Sequence, residues 1–324
     1  MSLKTYEPAQ LSAILSAHKE WVKSYGERGT RADLHGSNLG GSNLSGSDLR
    51  DSNLSGSDLR GSNLRGSNLS GSDLRGSNLS GSNLSGSNLS DSNLHGSNLS
   101  GSNLHGSNLR GSNLSGSDLR GSNLSDSNLH GSNLSGSDLS DSNLHGSNLH
   151  GSNLRGSNLS GSDLRGSNLH GSNLHGSNLS GSNLSGSNLS GSNLSGSDLS
   201  GLKDETNTIW PTFWSIPEVG TFQAFKAVRI NGKNGIAQIE IPAEAQRTSS
   251  LIGRKCRAEF AKVISITDSS WNPVDEARSI YAHDSFVYRV GEIVRPDKYD
   301  PDFHVECSHG IHFYITRQEA LDHR

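Results

Sequence analysis

The sequence has little of what usually holds a chain of this length together. Two cysteines, Cys256 and Cys307, occur in 324 residues, so no disulfide framework supports the fold. No stretch approaches the ~18 consecutive apolar residues of a membrane-spanning helix, so no membrane partner is expected. The opening MSLKTYEPAQ lacks the apolar core of a secretion signal, and a reducing cytoplasm, or a phage-infected cell, is the expected setting. A formal charge of −4 is too small to imply a nucleic-acid partner. Apolar content is only 30%, with 39 glycines, a composition that would ordinarily read as disorder. Order enters through strict periodicity.

From Ala32 to Ser200 a five-residue unit, Ser-Asn/Asp-Leu-x-Gly, repeats without a slip. Leucine stands at Leu34, Leu39, Leu44, Leu49, Leu54 and every fifth position to Leu199, thirty-four units in all. A flexible Gly/Ser linker has no reason to keep that spacing, whereas a stacked coil does. The expected core is this leucine column. Each buried leucine stabilises by roughly 1.5–3 kcal/mol, enough to hold a tract with few other large apolar groups.

Arg31-Ala32-Asp33-Leu34-His35 opens the tract with the signature Ala-Asp-Leu-x-x, and the later Ser-Asn-Leu and Ser-Asp-Leu units are variants of it. In this the chain resembles the pentapeptide-repeat proteins over about half its length. The resemblance implies a β-solenoid, a right-handed quadrilateral β-helix with four units per coil. It also implies that the leucine and the small residue two before it, here Ser37, Ser42, Ser47 and their equivalents, point inward while the other three positions face solvent. A buried serine hydroxyl must then find a hydrogen bond, from a serine ladder or a neighbouring carbonyl. Eight and a half such coils at ~4.8 Å spacing make a rod about 40 Å long.

Residues 8–25 read as an N-terminal capping helix. Pro8 suits its first turn, and Leu11, Ile14, Leu15, His18, Trp21, Val22 and Tyr25 recur at helical spacing. At the other end Trp210, Phe213, Trp214 and Ile216 are expected to plug the last coil. The domains expected are a cap at 1–30, the β-helix at 31–201, an aromatic linker at 202–219 and a small α+β domain at 220–324. In that domain segments 222–230, 236–241, 255–266, 286–294 and 309–315 read as strands. Asn231-Gly232 and Asn234-Gly235 mark a hairpin turn between the first two. Thr316 and Glu319 fit a capping box that opens a short helix. Gly253-Arg-Lys-Cys-Arg-Ala and Glu306-Cys-Ser-His-Gly-Ile-His-Phe resemble a domain of unknown function found at the C-terminus of pentapeptide-repeat proteins from phages and bacteria.

Candidate chemistry is sparse. Cys256, His304, Cys307, His309 and His312 are the residue types of a metal or thiol site, but their spacing matches no standard zinc pattern. Cys307 could act as a nucleophile with a nearby histidine as base and Glu306 or Asp302 as orienter, yet no catalytic signature frames them. His130, His150 and His170 fall one above another at twenty residues per coil. The row reads as exposed histidines rather than a metal ladder, since no carboxylate or cysteine shares its column. No metal and no cofactor are expected. Some pentapeptide-repeat proteins resemble duplex DNA and inhibit gyrase, but such mimicry needs a continuous acidic stripe. Here Arg50, Arg60, Arg65 and Arg75 interrupt Asp48, Asp58 and Asp73. Rows of serine and asparagine could order water, although the threonines usual in ice-binding faces are absent from the tract. The reading is a non-enzymatic rod that presents a C-terminal domain to a protein partner, without a small-molecule substrate. The alternatives are an enzyme centred on Cys307 and a gyrase-directed DNA mimic.

Overall fold

In a computed structural model the described residues are 3–211, 216–217, 219–250, 254–280, 286–303 and 309–322. The chain divides into two compact units, Met1–Pro211 and Thr212–Arg324.

The first unit is a solenoid-like stack with a twenty-residue register. Parallel bridges run from Asp33 to Asn53, Asn53 to Asp73, and onward to Asn178 and Asp198. Every repeat leucine from Leu34 to Leu199 is buried. In the interior coils all five backbone N–H groups of a unit find acceptors. The leucine donates to a carbonyl of the next coil, as Leu34 to Asn53 at 2.7 Å, and the following Asx donates back, as Asn53 to Ala32 at 3.0 Å. The corner glycine also donates to the next coil, as Gly36 to Ser55 at 3.0 Å, and the serine closes a turn, as Ser37 to Leu34 at 3.2 Å. The fifth N–H, on the variable residue, donates to the Asx side chain two residues earlier. Examples are Ser55 to Asn53 Oδ1 at 3.2 Å and Ser125 to Asn123 Oδ1 at 3.1 Å.

That last bond corrects the expectation that three positions of the unit merely face solvent. The Asx side chain is a structural acceptor, and several asparagines also bond along the stack, as Asn108 Nδ2 to Asn88 Oδ1 at 3.1 Å. The corner needs a left-handed backbone, which glycine adopts freely. Asp51, Asp91, Asp126 and Asp141 adopt it too, at φ of 55–57°. Stacking persists beyond the last pentapeptide: Asn183 bridges Asp204 and Asn188 bridges Ile209, with one residue inserted into the register. There Asp204 again accepts from the N–H two residues on, Thr206, and Asn207 takes the left-handed corner.

Strand β1 (Lys4–Thr5) pairs in parallel with β2 (Ser37–Asn38) on the first coil. Helix α1 (Pro8–Lys23) begins with a capping box between Glu7 and Gln10. It ends two residues sooner than its periodicity suggests, because Tyr25 turns left-handed and stands exposed. Leu11, Ile14, Leu15 and Trp21 are partly buried. His18 is buried, stacks on Trp21, and accepts the Ala32 N–H on Nδ1 at 3.1 Å. Burial pushes its imidazole below its ordinary value, keeping it neutral and able to accept.

In the second unit a six-stranded antiparallel sheet has the order β10-β7-β4-β3-β8-β9. Its strands are β3 (Phe222–Ile230), β4 (Lys233–Ile241), β7 (Ala261–Asp268), β8 (Glu276–Ser279), β9 (Val287–Arg289) and β10 (Ile293–Val294). A three-stranded sheet joins β5 (Arg247–Thr248), β6 (Cys256–Ala258) and β11 (Ile311–Phe313) in the order β11-β6-β5. Asn231-Gly232 makes the β3–β4 turn, but Asn234-Gly235 lies within β4. Gly235 is there for packing, since an added Cβ would come within 2.3 Å of Ile230 Cδ1 and 2.9 Å of the Thr267 carbonyl. The expected strand over 255–266 is two strands, β6 and β7, in different sheets. The Thr316–Glu319 box opens α2 (Arg317–Asp322), whose Ala320 and Leu321 pack on Ala227 and Ile236.

The serine column tests the energetics of the stack. Ser117 donates to the Leu114 carbonyl at 2.6 Å, whereas Ser87 and others have buried hydroxyls without a protein partner. Removing a stranded hydroxyl should stabilise, and removing a bonded one should cost about 0.5–1.5 kcal/mol. Ser87→Ala is therefore expected to raise the urea midpoint and Ser117→Ala to lower it. Equal shifts of one sign would refute the assignment.

Candidate functional site

The five C-terminal residues singled out by type do not assemble into one cluster among the described residues. His304 and Cys307 lie outside them, as do Phe213 and Trp214 at the other junction; Trp210 is partly buried. Cys256 is fully buried on β6 opposite Phe313, while His312 sits opposite the next residue, Arg257. Neighbouring positions of a strand project to opposite faces, so Cys256 and His312 are separated by the sheet. Burial pushes the Cys256 thiol up to about 11, which leaves it protonated and unreactive near neutrality. His309 is exposed, 3.9 Å from Asp297. Among the described residues no group of three or more His, Cys, Asp or Glu is placed to hold a metal ion.

On the solenoid His130, His150 and His170 form a parallel stack, with ring centroids 5.0 and 5.1 Å apart and planes within 4°. Nitrogen lone pairs lie in the ring plane, so parallel stacked rings direct them side by side rather than toward one ion. Five aspartates of the solenoid are neutralised within their own units. In each Ser-Asp-Leu-Arg unit the arginine folds back on the aspartate two residues earlier, at 2.6–2.7 Å for Asp48–Arg50, Asp58–Arg60, Asp73–Arg75, Asp118–Arg120 and Asp163–Arg165. The arginine hydrogen bonds hold these carboxyls below the usual range.

A cleft that the residue types did not point to lies in the second unit. Its volume is about 610 Å³, within the usual range for binding clefts. Ala227, Ile236, Ile280 and Leu321 supply apolar walls; Arg229, Asn234, Asp268, Trp271, Arg317 and Gln318 supply polar and aromatic ones. Trp271 reaches it from a three-residue hairpin loop after β7. Trp271 N–H donates to the Asp268 carbonyl at 3.1 Å, and Asp268 N–H to the Asn272 carbonyl at 3.0 Å. This is a turn followed by a left-handed residue, a position that favours glycine. Trp271 occupies it at φ +67°. Asp268 locks the loop: Oδ1 accepts from Ser270 and Asn272 N–H groups at 2.8 and 2.9 Å, and Oδ2 from Asn272 Nδ2 at 3.0 Å. The hydrogen bond from the Asn272 side chain, then its backbone bond, hold the Asp268 carboxyl below its usual range. The indole is 65% exposed, and the Arg317 guanidinium lies over it at 3.5 Å from the ring centre. The only signal of this site in the sequence is a tryptophan in a Ser-Ser-Trp-Asn turn.

The profile described as pentapeptide repeats (8 copies) matches overlapping segments from residue 30 to residue 201. A family of unknown function, DUF5758, matches residues 212–320. Among solved structures the chain is similar to HetL, a pentapeptide repeat protein involved in heterocyst differentiation regulation from the cyanobacterium Nostoc sp. strain PCC 7120. The identity is 25%, covering 63% of this chain and 94% of HetL, with a TM-score of 0.28. It is also similar to QnrB1, a plasmid-mediated fluoroquinolone resistance protein, at 20% identity over 54% of this chain and 85% of that one, TM-score 0.30. No curated protein sequence matches it.

Two measurements check the electrostatics. Cys256 is expected to resist iodoacetamide at pH 8 in the folded protein and to react on unfolding, as read by peptide mapping. Labelling of Cys256 in the native state would contradict its placement. In carboxyl NMR titrations Asp58 should titrate below the ordinary range, and Arg60→Ser should move it back up. Since the folded value is the depressed one, the pair stabilises above the usual carboxylate range and loses its effect as pH falls through the folded value.

Proposed function

Because the chain belongs to the pentapeptide-repeat family, we propose that it is a non-enzymatic interaction protein whose solenoid is a rigid scaffold and whose C-terminal domain recognises a protein partner. On this reading the coils wind as the family's right-handed quadrilateral helix. Helix α1 and β1 cover the first coil, and the segment around Trp210 covers the last. The observation that carries the reading is the contrast between two surfaces. The solenoid repeats one short set of side chains, with most of its Ser-Asp-Leu-x units closed into internal Asp–Arg pairs. The C-terminal domain holds a tryptophan in a backbone conformation that costs of order 1–3 kcal/mol, and such strain clusters at functional sites.

The Asp–Arg pairs weigh against DNA mimicry. An aspartate already bonded to arginine in its own unit does not add to a phosphate-like stripe, which must carry about one free negative charge per ~1.7 Å of axis.

The test is affinity capture with three full-length baits: the parent, a variant lacking residues 93–112 (one whole coil, restoring the register) and Trp271→Gly. The coil-deleted bait should retain the parent's partner and Trp271→Gly should lose it. Loss on coil deletion with retention by Trp271→Gly would place recognition on the solenoid and reject the proposal.

A further inference from the structure

From the chemistry of the Trp271 cleft, and resting on the reading that the C-terminal domain recognises a protein, we infer that the cleft takes a peptide segment of the partner that carries an apolar side chain beside a carboxylate. Three independent features define the occupant. The first is the turn. A left-handed third loop position suits glycine or asparagine, and a bulky residue there is a conformational outlier. Asp268 spends both carboxylate oxygens on fixing that loop, so the indole is held outward at a defined place rather than left to rotate with a slack loop. A rigid, exposed tryptophan loses little conformational freedom on binding, and tryptophan with arginine dominates the energetics of protein contacts.

The second feature is the floor. Ala227 and Ile236 from the central strands meet Leu321 of α2 and Ile280 beside β8, which gives a polar-rimmed cleft an apolar base. One aliphatic or aromatic side chain is the natural filler. The third feature is the sign of the rim. Arg317 lies on the indole face and Arg229 bonds to Asn234 Oδ1 at 2.6 Å and the Gly232 carbonyl, both neutral acceptors. Neither guanidinium forms an ion pair among the described residues. Among the described residues the one carboxylate lining the cleft, Asp268, is turned into its own loop. Two guanidinium groups against that single bonded carboxylate, beside an apolar floor, complement a carboxylate next to an apolar group, and guanidinium groups bind carboxylates through paired hydrogen bonds. Trp271 extends the surface past the mouth of the cleft, which suits a chain continuing on either side of its anchor.

The test uses full-length protein on an array of synthetic ten-residue peptides. Each carries Leu, Phe or Trp at the centre with Glu, Gln or Lys one or two positions away, in a Gly/Ser background. The Glu peptides should bind, the Gln peptides more weakly and the Lys peptides not at all. Arg317→Ala should weaken the Glu peptides about tenfold and leave the Gln peptides nearly unchanged. Trp271→Gly should abolish binding while its melting temperature stays level or rises, because glycine relieves the left-handed strain; Trp271→Asn, which also tolerates that conformation, should behave likewise. Equal binding of Glu and Lys peptides, or full binding by Trp271→Gly, overturns the inference. If no peptide binds although capture from lysate still depends on Trp271, the peptide chemistry falls and the C-terminal recognition stands. If capture is indifferent to Trp271 and lost on coil deletion, both fall; if it is indifferent to both changes, the cleft falls and the C-terminal reading stands.

Discussion

The first unit depends on one hydrogen bond repeated in each pentapeptide, from the backbone N–H of the variable residue to the Asx side chain two positions before it. Four of the five N–H groups can be served by backbone carbonyls, two from the coil above or below, one from its other neighbour and one from the local turn. The fifth, at a corner that is exposed or half-buried, is served instead by a short acceptor side chain two residues earlier, which satisfies it without water. Asparagine and aspartate both satisfy this, and the tract alternates freely between them while admitting nothing else.

The same constraint explains why the outer surface varies so little in kind and so freely in order. The variable position gives the stack its N–H and carbonyl whatever its side chain, so serine, arginine, histidine and glycine all occur there; several histidines add a contact with the next coil, as His95 Nδ1 to Ser115 Oγ at 2.9 Å. Aspartate and arginine of one unit are placed to pair with each other, which keeps the surface close to neutral. Corner aspartates are tolerated singly. At Gly71, Gly111, Gly146 and Gly161 a carboxylate oxygen of the aspartate one coil back lies where a Cβ would stand, so a second such residue in succession would make that side chain turn aside.

The C-terminal domain follows the opposite logic. Its core is an ordinary apolar cluster built from Val228, Ile239, Ile241, Val263, Ile266 and Phe313, among others. Local preference and tertiary demand agree across most of it, as at the Asn231-Gly232 turn and the Thr316–Glu319 box. They disagree at Trp271, where a position suited to glycine carries the largest side chain. Sequences violate such local rules mainly where function compensates for the lost stability.

The sequence by itself marked a stacked repeat, because one leucine in every five residues without a slip serves a stack and not a flexible linker; the four-unit coil followed from the family resemblance. The sequence also marked α1, the first hairpin and the α2 box, whose signals are local. It did not reveal that asparagine is a structural acceptor, since its partner is recognisable only once the turn geometry is known. It did not show that stacking runs on to Ile209, because Asp204 and Asn207 keep the backbone roles of the repeat without its spelling. The split of residues 255–266 between two sheets, the separation of Cys256 from His312, and the cleft beneath Trp271 were decided by tertiary structure alone. Each depends on strands distant in sequence meeting in a particular register, and a single chain of residue types carries no direct record of which strands will meet.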